Sequence, residues 1–133
     1  MPNTRVYDLV LLLLRLCFGG LMALNHGWPK FQKLLDGAPY KFADPIGIGA
    51  QWSLILAVGA ELFCALLLVL GLFTRLASIP LIITMFVAAF VVHWEDGFGE
   101  MEHALLFLIP YVCLAIAGPG WYSIDARFRN TMR

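Results

Sequence analysis

Two oppositely charged side chains stand inside long apolar runs of this sequence. Arg15 interrupts the run LLLLRLCFGG, and Glu61 interrupts the run from Trp52 to Phe73. A charge near the centre of a bilayer costs about 2.5–3.5 kcal/mol on insertion scales, so intramembrane ions are usually paired and functional. Counted from the helix ends at about 1.5 Å per residue, the two depths agree. The sequence therefore predicts an Arg15–Glu61 ion pair that keeps both groups charged inside the protein.

Arg15 shares one helical face with Gly19, Met22 and His26, because eleven residues make almost three helical turns. Gly19 would let a partner helix or a ligand approach closely. His26 lies at the rim of the same face, and we expect a polar path from the middle of the membrane to that rim. A purely structural use of the charges, to fix which helices pair and in what register, stays open.

Titratable groups also gather where the apolar runs end. We expect Arg15, Glu61, His26 and His93 to be the catalytic groups, because histidines and carboxylates can move protons. The residues expected to contact a ligand are Gly19, Met22, Trp28, Glu102 and His103. No tight pair of ligands at i,i+4 spacing is present, so we expect no metal site. The cofactor stays open.

The composition requires a membrane or a large partner surface. Apolar residues make up 61% of the 133 residues and charged residues 14%, against about 45–50% and about 25% in soluble domains. Nine basic and nine acidic residues balance, which argues against a nucleic-acid partner. The three cysteines, Cys17, Cys64 and Cys113, are far apart and are expected to be packing residues.

Four segments are long and apolar enough to span a bilayer. They run from about Tyr7 to Leu24, Trp52 to Phe73, Leu76 to Val92 and His103 to Ala117. We expect an all-α membrane protein, an antiparallel four-helix bundle in a single domain of residues 1–133. Gly27 and Pro29 predict the end of the first span, and a short interfacial helix in FQKLL should follow.

The basic residues predict the orientation of the bundle. Four spans place both termini and the turn after the second span on one side of the membrane. That side would hold Arg5, Arg75, Arg127, Arg129 and Arg133, and the other side Lys30, Lys33 and Lys41. The positive-inside rule then predicts a multi-pass protein of the cell membrane with both termini in the cytoplasm. Arg15 interrupts the first apolar run and no A-x-A-like site follows, so we expect a retained helix rather than a signal peptide.

Several short motifs, in their order and spacing, are typical of one family. They are Arg15-Leu16, His26-Gly27-Trp28-Pro29-Lys30-Phe31, Ala60-Glu61-Leu62, Gly71-Leu72-Phe73-Thr74-Arg75, His93, Glu102 and Gly118-Pro119-Gly120-Trp121-Tyr122-Ser123-Ile124-Asp125. With them the sequence resembles the DoxX family over nearly its whole length. The resemblance implies a small four-helix membrane protein of the bacterial inner membrane, with a quinone- or thiol-linked redox role and often a partner subunit.

Three functions stay open at this point. The first is a redox-associated membrane subunit, an oxidoreductase subunit that binds a quinone headgroup between helices and works with a soluble partner. The second is a non-enzymatic scaffold, in which the charges fix the bundle and the outer loop recruits a partner. The third is transport of a small solute or a proton, for which a chain this short would need a homodimer.

Overall fold

The computed structural model describes residues 4–132, and these residues form helices and connecting segments with no strand. Four helices are long and apolar enough to cross a bilayer. We name them α1 (Thr4–Asp36), α2 (Ala50–Leu70), α3 (Thr74–Val92) and α4 (Phe98–Ala117). A shorter helix, α5 (Ile124–Thr131), follows near the C-terminus. Arg133, one of the basic residues used to predict orientation, lies outside the described residues.

Helix α1 is much longer than the sequence predicted. It continues through Gly27 and Pro29 to Asp36, so the separate interfacial helix expected at FQKLL does not exist. A proline ring clashes with the carbonyl four residues earlier in a regular helix. Here the turn before it, Ala23–Gly27, is a wider π-type turn, which leaves room for the ring. Gly27 and Pro29 therefore mark a local widening of the helix and not its end.

Helices α1 and α2 approach closely at two glycines of α1. A Cβ atom at Gly19 would lie 3.0 Å from the Ala65 carbonyl oxygen, and one at Gly27 would lie 2.7 Å from the Leu62 Cα atom. Real Cβ atoms do not come this close to other atoms, so only the hydrogen of glycine fits at position 27. Small residues at a helix interface let two backbones pack at short range. These contacts set the register in which α2 meets α1.

The interior and the exterior of the bundle are both apolar. Leu54, Leu68, Leu81, Tyr111 and Leu114 are fully buried in the core. Many large apolar side chains nevertheless face outward on every span, among them Leu24, Leu76, Ile109 and Ile116. Soluble proteins rarely expose contiguous apolar area of this extent. The outward faces therefore contact lipid.

The connection between α1 and α2 is irregular but anchored. Asp44 accepts hydrogen bonds from the N–H groups of Ile48 and Gly49 at 3.0 Å and 2.9 Å. It also accepts one from the Ser53 hydroxyl at 2.9 Å, in the first turn of α2. These bonds to Gly49, Ser53 and Ile48 favour the carboxylate and lower the pKa of Asp44 below its ordinary value. The loop is thereby fixed against the start of α2.

Candidate functional site

The Arg15 side chain is fully buried but does not meet Glu61. Its guanidinium donates hydrogen bonds to two main-chain carbonyls, that of Leu68 at 3.5 Å and that of Tyr122. The predicted Arg15–Glu61 ion pair is therefore wrong. Helical side chains point back toward the N-terminus of their helix, and the guanidinium reaches the last turns of α2, about 10 Å along that helix from Glu61. Carbonyl dipoles replace the expected carboxylate as its partners.

The Arg15 contact belongs to a set of hydrogen bonds that fasten the segment 118–126 to the bundle, which we call the C-terminal clamp. Asp8 of α1 accepts a hydrogen bond from the Trp121 N–H at 2.9 Å. Asp125 accepts from the N–H groups of Phe73 and Thr74 at 2.8 Å and 3.0 Å, and so caps the start of α3. The clamp marks the end of the bundle that carries both termini, which we call the termini end.

Glu61 pairs with Lys30. The Lys30 ammonium and a Glu61 carboxylate oxygen are in direct contact, with side-chain exposures of 24% and 5%. Lys30 lies three residues after Gly27, on the same face of α1, and Gly27 is the residue that packs against the Glu61 backbone. The close approach of the two helices thus delivers the ammonium to the carboxylate. Lys30 was used above only to predict the orientation of the bundle, and its pairing with Glu61 was not predicted.

A cavity of about 360 Å³ opens beside this ion pair. Lys30 and Glu61 line it together with His93 at the end of α3, while the loop residues Phe42 and Ile46 cover it. The remaining wall is mostly apolar, from Pro45, Leu56, Ala57, Ile83, Val87, Ala88 and Val92, with Ser53 and Thr84 adding hydroxyls. An apolar pocket with a few converging polar groups is the usual form of a small-molecule site. We call it the Lys30 cavity.

The histidines divide between two places. The Nε2 atoms of His26 and His103 lie 3.2 Å apart, and both imidazole rings pack against the ring of Phe107. In such a hydrogen bond one ring nitrogen carries the hydrogen and donates it, and the other nitrogen accepts the hydrogen bond. His93 instead contacts Asp96, with its Nδ1 atom 2.9 Å from a carboxylate oxygen. The continuous polar path predicted from Arg15 to the rim is therefore not formed.

The other predicted ligand-contacting residues are scattered. Met22 is buried in the core, and Gly19 is filled by its packing against α2. Trp28 is exposed and packs near Phe31, and Glu102 is exposed. None of these four lines the Lys30 cavity. Within residues 4–132, no group of three or more His, Cys, Asp or Glu side chains is arranged to hold a metal ion.

Four π-type turns mark the polar positions. They are Arg15–Gly19, Ala23–Gly27, Gly59–Cys64 and Ala88–Val92. These turns contain Arg15, His26 and Glu61, and the last ends just before His93. Such turns occur often at functional sites because they shift side chains out of the regular helical register.

Four bilayer-length helices, an apolar exterior and buried charges define a multi-pass integral membrane protein. The model of the DoxX family matches residues 10–94. This protein belongs to the DoxX family. The matched part includes most of α1 and all of α2 and α3, and with them Lys30, Glu61 and His93.

Two relatives cover most of the chain. One is "Uncharacterized membrane protein Rv3486" of Mycobacterium tuberculosis, 33% identical over 123 residues, covering 81% of this chain and 75% of the relative. The other is "Uncharacterized protein" of Haemophilus influenzae, 27% identical over 109 residues, covering 79% of this chain and 70% of the relative. No solved structure matches the chain significantly.

Proposed function

We propose that this protein is a redox-associated membrane subunit that binds a quinone headgroup in the Lys30 cavity. The observation that carries the proposal is the pairing of a buried ion pair with an apolar pocket of about 360 Å³. A quinone ring is flat and largely apolar, and its two carbonyl oxygens accept hydrogen bonds. The ammonium of Lys30 supplies a charged donor, and the apolar wall suits the ring.

The polar residues of the cavity are of types that can donate and accept the protons that accompany quinone reduction. Lys30 can donate a hydrogen bond to a carbonyl oxygen, and Glu61 can accept or return a proton at its carboxylate. His93 at the cavity rim contacts Asp96 on the exposed loop, which offers a route for a proton from water. The quinone supplies the electron chemistry when bound. The electrons would come from a partner subunit. In this proposal Lys30, Glu61 and His93 are the polar residues of the quinone site.

The side chains predicted first keep narrower roles in this proposal. Arg15 acts as a structural cation of the clamp, and Glu61 and His93 remain candidate catalytic groups. His26 and His103 lie outside the cavity and would serve as a separate proton-sharing pair.

The membrane arrangement is part of the proposal. We infer an antiparallel bundle, a single domain of residues 1–133, in the bacterial inner membrane with both termini cytoplasmic. Arg5, Arg75, Arg127 and Arg129 support this orientation, since they are at the termini end, and the Lys30 cavity is near the opposite end. The quinone site would then lie toward the outer leaflet. A second copy of the chain, forming a homodimer, or a soluble partner could bind at that end.

Quinone binding is tested with purified protein in lipid nanodiscs. A short-chain ubiquinone or menaquinone analogue is titrated, and quenching of tryptophan fluorescence gives the Kd. Wild-type protein should bind saturably, and Ala88→Leu should weaken binding because the larger side chain projects into the cavity. Unsaturable quenching, equal in wild type and Ala88→Leu, would mean that quinone only partitions into the lipid and would refute the site.

Two lysines of α1 provide a matched comparison. Lys30→Gln should raise the Kd about tenfold, the effect of one lost charge-assisted hydrogen bond. Lys33→Gln should leave the Kd unchanged, because Lys33 bonds the Lys41 carbonyl in the loop and does not line the cavity. Since Lys30→Gln leaves Glu61 unpaired, the double variant Lys30→Gln/Glu61→Gln is measured beside it.

The competing function is a non-enzymatic scaffold, which the mutual neutralisation of Lys30 and Glu61 favours. In that case the pair only fastens α1 to α2. The reversed double variant, Lys30→Glu with Glu61→Lys, would then regain the stability and the partner recruitment that either single change loses. A folded reversed variant that has lost quinone binding would support the site instead.

A further inference from the structure

We propose that a second cavity, at the termini end, binds the phosphate group of an anionic phospholipid. This cavity has a volume of about 630 Å³ and opens between α1, α3, α4 and α5. It is separate from the Lys30 cavity and shares no residue with it. The inference does not depend on the proposed quinone site.

Two arginines supply the positive charge of this cavity. Arg75 of α3 and Arg129 of α5 both line it, both are exposed, and neither forms an ion pair within residues 4–132. Arg75 lies along the end of α4, where a Cβ atom at Gly118 would be 3.1 Å from its Nε atom. Guanidinium groups bind phosphate oxygens through paired hydrogen bonds. Their position therefore points to a phosphate anion.

A buried hydroxyl in the wall is an independent indication of a missing partner. Thr74 is fully buried and lines the cavity, and its Oγ1 atom has no hydrogen-bond partner among the described residues. Buried polar groups in folded proteins are nearly always hydrogen-bonded, so an unpartnered one calls for an explanation. Rotation of the Thr74 side chain toward the cavity would let its hydroxyl donate a hydrogen bond to a phosphate oxygen held by the neighbouring Arg75.

The carboxylates in the wall are already engaged. Asp125 accepts two main-chain N–H groups, and Asp8 accepts the N–H of Trp121. These bonds reduce the repulsion that either carboxylate would exert on a phosphate. With Arg5 and Arg127, the termini end carries four exposed arginines against these two acids, which favours an anionic headgroup over a zwitterionic one.

The surroundings of the cavity fit a lipid rather than a soluble phosphate. Leu11 and Leu76 supply apolar wall, and Leu76 is 67% exposed on the lipid-facing side of α3. Tyr7 and Trp121 also line the cavity, and such rings prefer the headgroup level of a bilayer. Basic pockets between spanning helices on the cytoplasmic side are known to take anionic headgroups.

Native mass spectrometry of the detergent-solubilised protein tests the proposal by titration with phosphatidylglycerol or phosphatidylcholine. Wild-type protein should bind one phosphatidylglycerol at least tenfold more tightly than phosphatidylcholine. Arg75→Gln and Arg129→Gln should each weaken phosphatidylglycerol binding about tenfold, and Thr74→Val should weaken it severalfold. Arg129 is on an exposed helix, so its variant remains informative if Arg75→Gln does not fold.

Arg127→Gln is the matched control, because it removes the same charge from the same helix but does not line this cavity. Its affinity for phosphatidylglycerol should stay within twofold of wild type. Equal losses in Arg127→Gln and Arg129→Gln would mean general attraction to the basic end and would overturn the site, as would equal binding of the two lipids. Displacement of the lipid by millimolar inorganic phosphate would reassign the site to free phosphate and overturn the lipid proposal.

Discussion

Lys30 and Glu61 form an ion pair between α1 and α2, thirty-one positions apart in the sequence, beside a cavity that both side chains line. A buried carboxylate without its cation is strongly destabilising, whereas the intact pair contributes little net stability. We therefore expect the pair to specify how α1 and α2 fit together more than it stabilises the fold. The following predictions test this arrangement and the contacts that support it.

The partner of Glu61 can be identified by double-mutant cycles. Lys30→Gln and Glu61→Gln should show a coupling free energy of about 1–3 kcal/mol, because the side chains are in contact. Arg15→Gln and Glu61→Gln should be additive within about 0.5 kcal/mol, because Arg15 bonds other groups. Unfolding free energies in mixed micelles provide the measurement. Strong coupling of Arg15 to Glu61, with none of Lys30, would contradict the observed pairing.

Two glycines of α1 should respond oppositely to alanine. Gly27→Ala should destabilise the protein by about 1–3 kcal/mol, because the added methyl group meets the α2 backbone at Glu61 and Leu62. Gly20→Ala is the control, since a Cβ atom there has nothing within 4 Å, and it should be neutral or stabilise α1 by up to about 1 kcal/mol. Thermal unfolding of the two variants distinguishes them. An equal loss in both would mean that the close packing at Gly27 does not exist.

Arg15→Lys should loosen the C-terminal clamp. A lysine keeps the charge, but its single ammonium cannot reproduce the guanidinium fork that reaches both the Leu68 and Tyr122 carbonyls. We expect a loss of about 1.5–3 kcal/mol in unfolding free energy, together with faster hydrogen exchange in residues 121–126. Arg5→Lys is the control, because Arg5 is exposed on the same helix. Unchanged exchange in the clamp of Arg15→Lys would show that Arg15 does not hold it.

The loop over the Lys30 cavity should depend on pH through Asp44. The pKa of Asp44 is lowered in the folded protein by its bonds to Gly49, Ser53 and Ile48, so its contribution is complete above the unfolded value of about 3.9. It is lost as pH falls from there through the lower folded pKa. Limited proteolysis of the loop should therefore accelerate only in that acid range, with a protease active there.

Asp44→Asn imitates the protonated state at neutral pH. Its loop should be cleaved faster than that of wild type at pH 7, while Asp36→Asn, in the last turn of α1, should match wild type. The acid acceleration should also disappear in Asp44→Asn. If acid still accelerates cleavage in that variant by the same factor, another group controls the loop.

The helices could be predicted from the sequence because each span is a long apolar run. The third and fourth spans begin earlier than predicted, at Thr74 and Phe98, because the polar pair Thr74-Arg75 joins the first turn of α3, and Gly99 and Glu100 join that of α4. The end of α1 could not be predicted. Gly27 serves close packing there, and a widened turn accommodates Pro29, so both helix-breaking residues lie inside a helix.

The partners of the buried charges were harder to predict than the charges themselves. A count of residues gives the depth of a residue in the membrane to within a few ångströms. The Arg15 side chain, however, extends toward the termini end and bonds main-chain carbonyls, and no pattern of side-chain types reveals such partners. Lys30 had a usable signal, since it follows Gly27 by three residues and shares its face. The motif ending in Ser123 and Asp125 was recognised, but its capping of α3 and α5 depends on folded geometry.

The clamp has a consequence for how the chain is made. The Tyr122 carbonyl that receives Arg15 lies 107 residues later in the sequence, and chains are synthesised and inserted from the N-terminus. While the ribosome is still adding the later spans, the first helix must carry its guanidinium without this acceptor. Final assembly of the C-terminal clamp therefore waits for the segment 118–126, and a chain terminated before it would leave Arg15 with only the Leu68 carbonyl, a defect for quality-control proteases to find.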